Sequence, residues 1–234
     1  MNEMLLFLEM AVDFGLVLLL WRFLGKQGVY AWICIATVLA NIQVTKTVEL
    51  FGMTATLGNA MYASIFLATD ILSEMHGKKA AGQAVLLGLV AMLSTVLVMT
   101  MSLWFVPSAD DFAHESLKTL FGFMPRVVGG SLAAYAVSQL FDVTCYHWIR
   151  ERLPQQRHLW VRNNVSTILS QALDTLIFTT IAFVGVFPAE VFWSIVVTTF
   201  LLKLLAALCD TPFLYLARRL RQGEAVATAE TCGA

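Results

Sequence analysis

Charge is what this sequence has least of: 13% of its 234 residues are Asp, Glu, Lys or Arg, where a soluble domain carries about a quarter. With 59% hydrophobic residues, the chain has too little polar surface to cover a fold in water. The formal net charge of −1 gives no electrostatic footprint for nucleic acid, which is not expected as a partner. Cysteine is sparse and scattered (Cys34, Cys145, Cys209, Cys232) without CxxC spacing, which argues against a disulfide framework and a zinc site. The four histidines, His76, His114, His147 and His158, form no HExxH pair, so neither metal nor cofactor is expected. A GxxxxGK[ST] phosphate loop is also lacking, so any use of ATP would need another subunit. Gly129-Gly130-Ser131 has no evident His partner, which ranks an intramembrane enzyme low.

Long apolar runs are what the sequence does have. Mean hydropathy is +0.75, and seven runs are long enough to cross a bilayer, which takes roughly 20 helical residues. They cover 4–24, 28–47, 54–75, 80–106, 125–149, 163–187 and 190–217. The fold class is therefore an all-α integral membrane protein of about seven transmembrane helices. The first run follows Asn2 and Glu3 rather than a basic segment and contains Glu9 and Asp13, so it is expected to be a retained helix. Residues 1–217 form one transmembrane domain in this reading, and the small polar segment 218–234 a disordered cytoplasmic tail. The one long external connection is expected at 107–124, bounded by Pro107 and Pro125.

Basic residues alternate in placement. Arg22 and Lys26, Lys78 and Lys79, Arg150, Arg152, Arg157 and Arg162, and Arg218, Arg219 and Arg221 share one side, which the positive-inside rule assigns to the cytoplasm. Lys46, Lys118 and Arg126 are exceptions at the other face. The N-terminus is then outside and the C-terminus inside. Tryptophans near the run ends, Trp21, Trp104, Trp148, Trp160 and Trp193, read as interfacial anchors.

An ionisable side chain in hydrocarbon normally faces a cavity or a partner, so intramembrane polar residues are the candidate site. The second run ends NIQVTK, with Asn41, Gln43 and Lys46. The third holds Asp70 and Glu74 one turn apart; an interfacial balance with Lys78 and Lys79 is the competing reading. The sixth places Arg162, Ser166, Ser170 and Asp174 at four-residue steps, flanked by Asn163, Asn164 and Gln171, a stripe too polar to face lipid. It could also be interhelical glue. The seventh has Lys203 and Asp210 on one face, followed by Pro212. Gly130, Ala134 and Ser138, and Ala80, Ala84 and Gly88, are small-residue faces for close helix packing, which also permit a homodimer.

The blocks NIQVTK (41–46), TDILSEMHGKKAA (69–81), LWVRNNVSTILSQALDT (159–175) and KLLAALCDTPF (203–213) carry a resemblance. In them the sequence resembles the queuosine precursor transporter family, vitamin-uptake-like membrane proteins, and departs at His76, where that pattern carries Tyr. The resemblance implies a fold similar to the six-helix substrate-binding subunits of energy-coupling-factor transporters, here helices 2 to 7, with helix 1 added. It implies import of the 7-deazaguanine bases preQ0 or preQ1 across the inner membrane for tRNA queuosine salvage. The alternative is a substrate-binding subunit of an energy-coupling-factor vitamin transporter. A deazaguanine presents N–H donors that a carboxylate accepts and a carbonyl that needs a donor. Asp70, Glu74 or Asp174 with Asn41, Asn163, Asn164 or Lys203 would supply both, Gln43, Lys46, Ser166, Gln171 and Asp210 completing the candidate set.

Overall fold

The computed structural model describes the backbone of residues 1–153, 155 and 159–232; the side chains of 159–164, 166–167, 207–208, 210–211, 218 and 221–232, and of Lys78, Gln139, Asp142, Val143, Tyr146, His147 and Arg150, lie outside the described residues. Six helices and one hairpin follow in the order α1 (Asn2–Gln43), β1 (Thr47–Leu50), β2 (Met53–Thr56), α2 (Asn59–His76), α3 (Lys78–Ser102), α4 (His114–Arg152), α5 (Leu159–Phe183) and α6 (Ala189–Cys232).

A straight 42-residue α1 would be ~63 Å long. Gly25 prevents that: its φ of 55° and ψ of −139° are open to glycine and strained for other residues. The chain reverses there, and Gln43 returns to donate to Glu9 at 2.7 Å. Gly28 allows the close approach at the bend, since a Cβ there would sit 2.5 Å from the Leu20 carbonyl oxygen. The two arms of α1, 2–24 and 26–43, correspond to the first two apolar runs, and the described residues thus form seven helical segments.

Residues 47–56 correct the sequence reading, which extends one helix to 47 and starts the next at 54. They form an antiparallel hairpin with Thr47 opposite Thr56 and Leu50 opposite Met53. Phe51 and Gly52 both take positive φ, 52° and 75°, the geometry of a two-residue turn that follows strand twist. Phe51 is held there by its N–H donating to Glu3 at 3.1 Å, while Asn2 donates to the Glu49 carbonyl at 2.9 Å. Thr54 belongs to a pair whose own N–H and C=O point away from the partner strand. Those groups are met by α6: the Thr54 N–H donates to Ser194 Oγ at 2.8 Å, and its carbonyl accepts from Ser194 and Thr198. The strand edge is thereby closed.

The expected 107–124 connection is also corrected. Helix α4 begins at His114 and continues through Pro125, which cannot donate the hydrogen bond due to the Phe121 carbonyl one turn earlier. Next to it Arg126 donates to the carbonyls of Ile181 and Val184 at 2.6 and 2.5 Å. A basic residue that breaks the charge rule thus caps the C-terminal end of α5, where free carbonyls and the helix dipole favour a cation.

Helices α4 and α5 pair closely; α1 packs on α2 and α3, and α6 on α2 and the hairpin. Both small-residue faces are used within the chain. Gly88 lies where a Cβ would be 2.9 Å from Thr37 Oγ1, and Gly130 where it would be 3.4 Å from Ile181. Trp21 corrects the anchor reading, being buried with its indole N–H on the Ala217 carbonyl at 3.2 Å. Trp104 and Trp193 are exposed.

Outward faces are apolar. An 18-residue window within Lys79–Ser102 has a mean hydropathy of 2.4 and only 17% of it is buried, the reverse of what water would select. Among the described residues four helical stretches, within α1, α3, α4 and α6, are long and apolar enough to cross a membrane. This is an all-α membrane protein with a small hairpin at one end.

Candidate substrate site

At the centre of the bundle the polar residues of five helices meet. Asp174 on α5 forms an ion pair through Oδ2 with the Lys203 ammonium on α6. Its other oxygen, Oδ1, accepts from Ser138 of α4 at 3.3 Å. Both side chains are mostly covered, 21% and 16% exposed, so the pair sits where dielectric screening is weak and each charge depends on the other.

Tyr62 on α2 extends this site. Its hydroxyl interacts with the side chains of Ser131 on α4 and Asn41 on α1, and the Asp174 charge acts on it. Asn41 is 3% exposed. Its amide N–H donates to the Thr37 carbonyl at 2.7 Å, which fixes the amide orientation. That leaves Oδ1 buried and without a partner, a costly state unless something donates to it. One turn before Tyr62, Asn59 donates to Thr199 Oγ1 at 3.5 Å, and Thr199 is four residues before Lys203. The polar column therefore runs from the hairpin end inward.

The α5 stripe explains why Asp174 points here. Four-residue steps place Ser170 and Asp174 on one face, and Ser170 on α5 and Ala134 and Ser138 on α4 are all buried. Thr175, fully buried, donates back to the Gln171 carbonyl at 2.9 Å, a local bond that satisfies its hydroxyl.

Of the sequence candidates, the structure joins Asn41, Asp174 and Lys203 in one region. Gln43 does not join them; it turns to Glu9. Lys46 is exposed beside the hairpin, beyond the end of α1. Asp70 and Glu74 are exposed on α2, two and three turns beyond Tyr62, and Glu74 has partners of its own. Gln171 is half-buried on α5. The side chains of Asn163, Asn164, Ser166 and Asp210 lie outside the described residues. Tyr62, Ser131 and Ser138 are additions to the candidate set. A single Tyr within the apolar stretch MYASIF was the available signal, and Ser138 was legible only as a packing residue.

Ionisable side chains paired inside a membrane-embedded bundle, with a buried unfilled acceptor on another helix, mark a candidate site for a polar solute, as a membrane transporter requires. Residues 56–217 match the family model described as "Putative vitamin uptake transporter", and the chain belongs to this family. It is 47% identical over 209 residues to the "Probable queuosine precursor transporter" of Bacillus subtilis (strain 168), covering 89% of this chain and 91% of that protein. It is 30% identical over 175 residues to the "Queuosine precursor transporter" of Escherichia coli (strain K12), covering 72% and 75%. A "Probable queuosine precursor transporter" of Haemophilus influenzae is 30% identical over 57% of this chain and 54% of its own length. No solved structure matches the chain.

Proposed function

We propose that this protein imports queuosine precursors, the 7-deazaguanine bases preQ0 or preQ1, across the cytoplasmic membrane, and that it carries them without chemical change. The names of the relatives support the substrate class. The observation that carries the assignment to a site is the Asp174–Lys203 pair with Asn41 Oδ1 unfilled nearby. A guanine-like edge offers two adjacent N–H donors to a carboxylate and a carbonyl to an ammonium. Such a base exchanges one ion pair for two charge-assisted contacts and gives the free Asn41 oxygen a donor. A purine without the amine would leave the acid partly unsatisfied, which is where selectivity arises.

Topology in this proposal has seven crossings, the N-terminus outside and the C-terminus inside. Contacts of Asn2 with Glu49 and of Thr54 with Ser194 gather the N-terminus, the hairpin and the start of α6 at one end. Trp21, His76 and Ala217 meet at the other, near Arg22, Lys26 and Lys79, which fits a cytoplasmic face. Residues 1–217 act as the transmembrane domain and 218–234 as a cytoplasmic tail. Lipid covers the exposed leucines and valines, and the cargo is a small molecule rather than nucleic acid.

The test is uptake of labelled preQ0 and preQ1 by cells unable to make queuosine, carrying this protein or an empty vector, with guanine as competitor. Protein-dependent accumulation that is lost in D174A and K203A supports the proposal. Verified membrane expression without uptake or binding of either base removes the substrate.

A further inference from the structure

A second group of buried polar atoms lies in the first arm of α1, away from the Asp174–Lys203 pair. Asp13 is 4% exposed, and about 16 Å of helix separates it from Asn2, midway along the 2–24 arm. Its Oδ2 is buried and has no hydrogen-bond partner. One turn earlier, Glu9 acts on it electrostatically and accepts the Gln43 amide N–H at 2.7 Å. Because that nitrogen is given to Glu9, the Gln43 oxygen Oε1 is turned elsewhere, and it too is buried without a partner. Two carboxylates and an amide therefore bring more acceptors together than donors.

Among the described residues no ammonium or guanidinium is recorded with this group. Among the described residues Glu9 is the one ionisable side chain that acts on Asp13. Its neighbours Met10, Phe14 and Val17 belong to one apolar cluster that also takes in Tyr30, Tyr62, Cys209 and Phe213, the last edge-on to Phe14. An acid in the middle of a membrane helix that lacks a counter-charge can be made neutral in one simple way, by a proton.

We propose that Asp13, with Glu9 and Gln43, is a proton-binding site that loads and unloads during the transport cycle. On loading, a proton from water forms an O–H bond at an Asp13 oxygen and the carboxylate becomes a neutral donor. An orphan acceptor of the cluster, such as Gln43 Oε1, can then receive a hydrogen bond. On unloading, the bonding electron pair returns to the carboxylate and the proton leaves to water. Gln43, which donates to Glu9, lies two residues after Asn41 on the second arm of α1, so in this proposal a change of charge at Asp13 is passed to the segment that carries Asn41. The coupling rests on the transport reading; the proton site does not.

Two measurements separate these. Infrared difference spectra of the purified protein, recorded between acid and alkaline pH, should contain a protonated-carboxyl band that shifts in heavy water and disappears in D13N. In vesicles, preQ1 or preQ0 uptake by the native protein should rise with an inward proton gradient, and D13N should lose that stimulation while Asp13→Glu keeps it. A band unchanged in D13N, or a D13N variant with the native pH profile, overturns the proposal. Stabilisation of the native protein by sodium but not choline chloride, absent in D13N, would also overturn it in favour of a sodium site. Native protein that moves neither base sinks the substrate assignment instead, and the infrared result still decides the proton site.

Discussion

Asp174 and Asp13 are both carboxylates held within the bundle, and their surroundings treat them differently. Asp174 has an ammonium on one oxygen and a hydroxyl on the other; Asp13 has Glu9 for a neighbour and one oxygen with no partner. Removing a carboxylate from water is expensive in either place. A counter-ion from another helix compensates the charge. A site with acceptors in excess favours a form that has taken up a proton. The comparison teaches that sites of equal acidity in the sequence acquire different chemistry from what the neighbouring helix brings.

The largest effect is expected from breaking the pair. K203A leaves Asp174 uncompensated and should destabilise the protein by about 3–5 kcal/mol, seen as a lower unfolding temperature in detergent and loss of uptake. The double variant D174N/K203M should recover much of the stability and none of the uptake. If K203A unfolds like the native protein, the pair is not held as a buried charge pair and the comparison collapses.

Next comes the frame that holds both sites. Gly25→Ala puts a side chain at a φ of 55° and should destabilise by about 1–3 kcal/mol, with reduced yield of folded protein as the readout. Tyr62→Phe keeps the ring and removes the hydroxyl that interacts with Ser131 and Asn41. A loss of about 1 kcal/mol, a several-fold weaker substrate affinity with little change in melting, would sharpen the assignment of this region as the binding side of the comparison.

The smallest effect lies outside the membrane. Asp111 Oδ1 accepts from the Ala113 and His114 N–H groups at 2.7 and 3.0 Å, and these bonds hold its carboxyl below the usual carboxylate range. Its contribution is therefore present above pH 3.8 and lost as pH falls through the lower folded value. Hydrogen exchange at the start of α4 should quicken in Asp111→Ala at neutral pH, and by less in Asp111→Asn. This surface site is the control for the two interior ones.

Much of this was legible beforehand because hydropathy and small-residue spacing are local properties. The seven apolar runs match seven helical segments, and Gly88 and Gly130 lie in the close contacts their spacing suggested. The hairpin was missed because TVEL and MTAT are short and adjoin apolar runs, and its edge is completed by Ser194 and Thr198 from 140 residues away or more. Pro125 read as a boundary because proline disfavours helix interiors, whereas α4 continues through it. Asp174 was found from its four-residue stripe. Gln43 was placed with the substrate by its neighbour Asn41, although the two side chains point to different segments.

By itself, the sequence determined that this chain lives in a membrane as helices, where those helices lie and which end carries the basic residues, since apolar length and charge act residue by residue. Tertiary structure alone decided that Asp174 meets Lys203, that Asn41 and Tyr62 face each other, and that Asp13 meets no cation among the described residues. Pairing of charges depends on distance across helices, and no spacing along one chain encodes which face its neighbour presents.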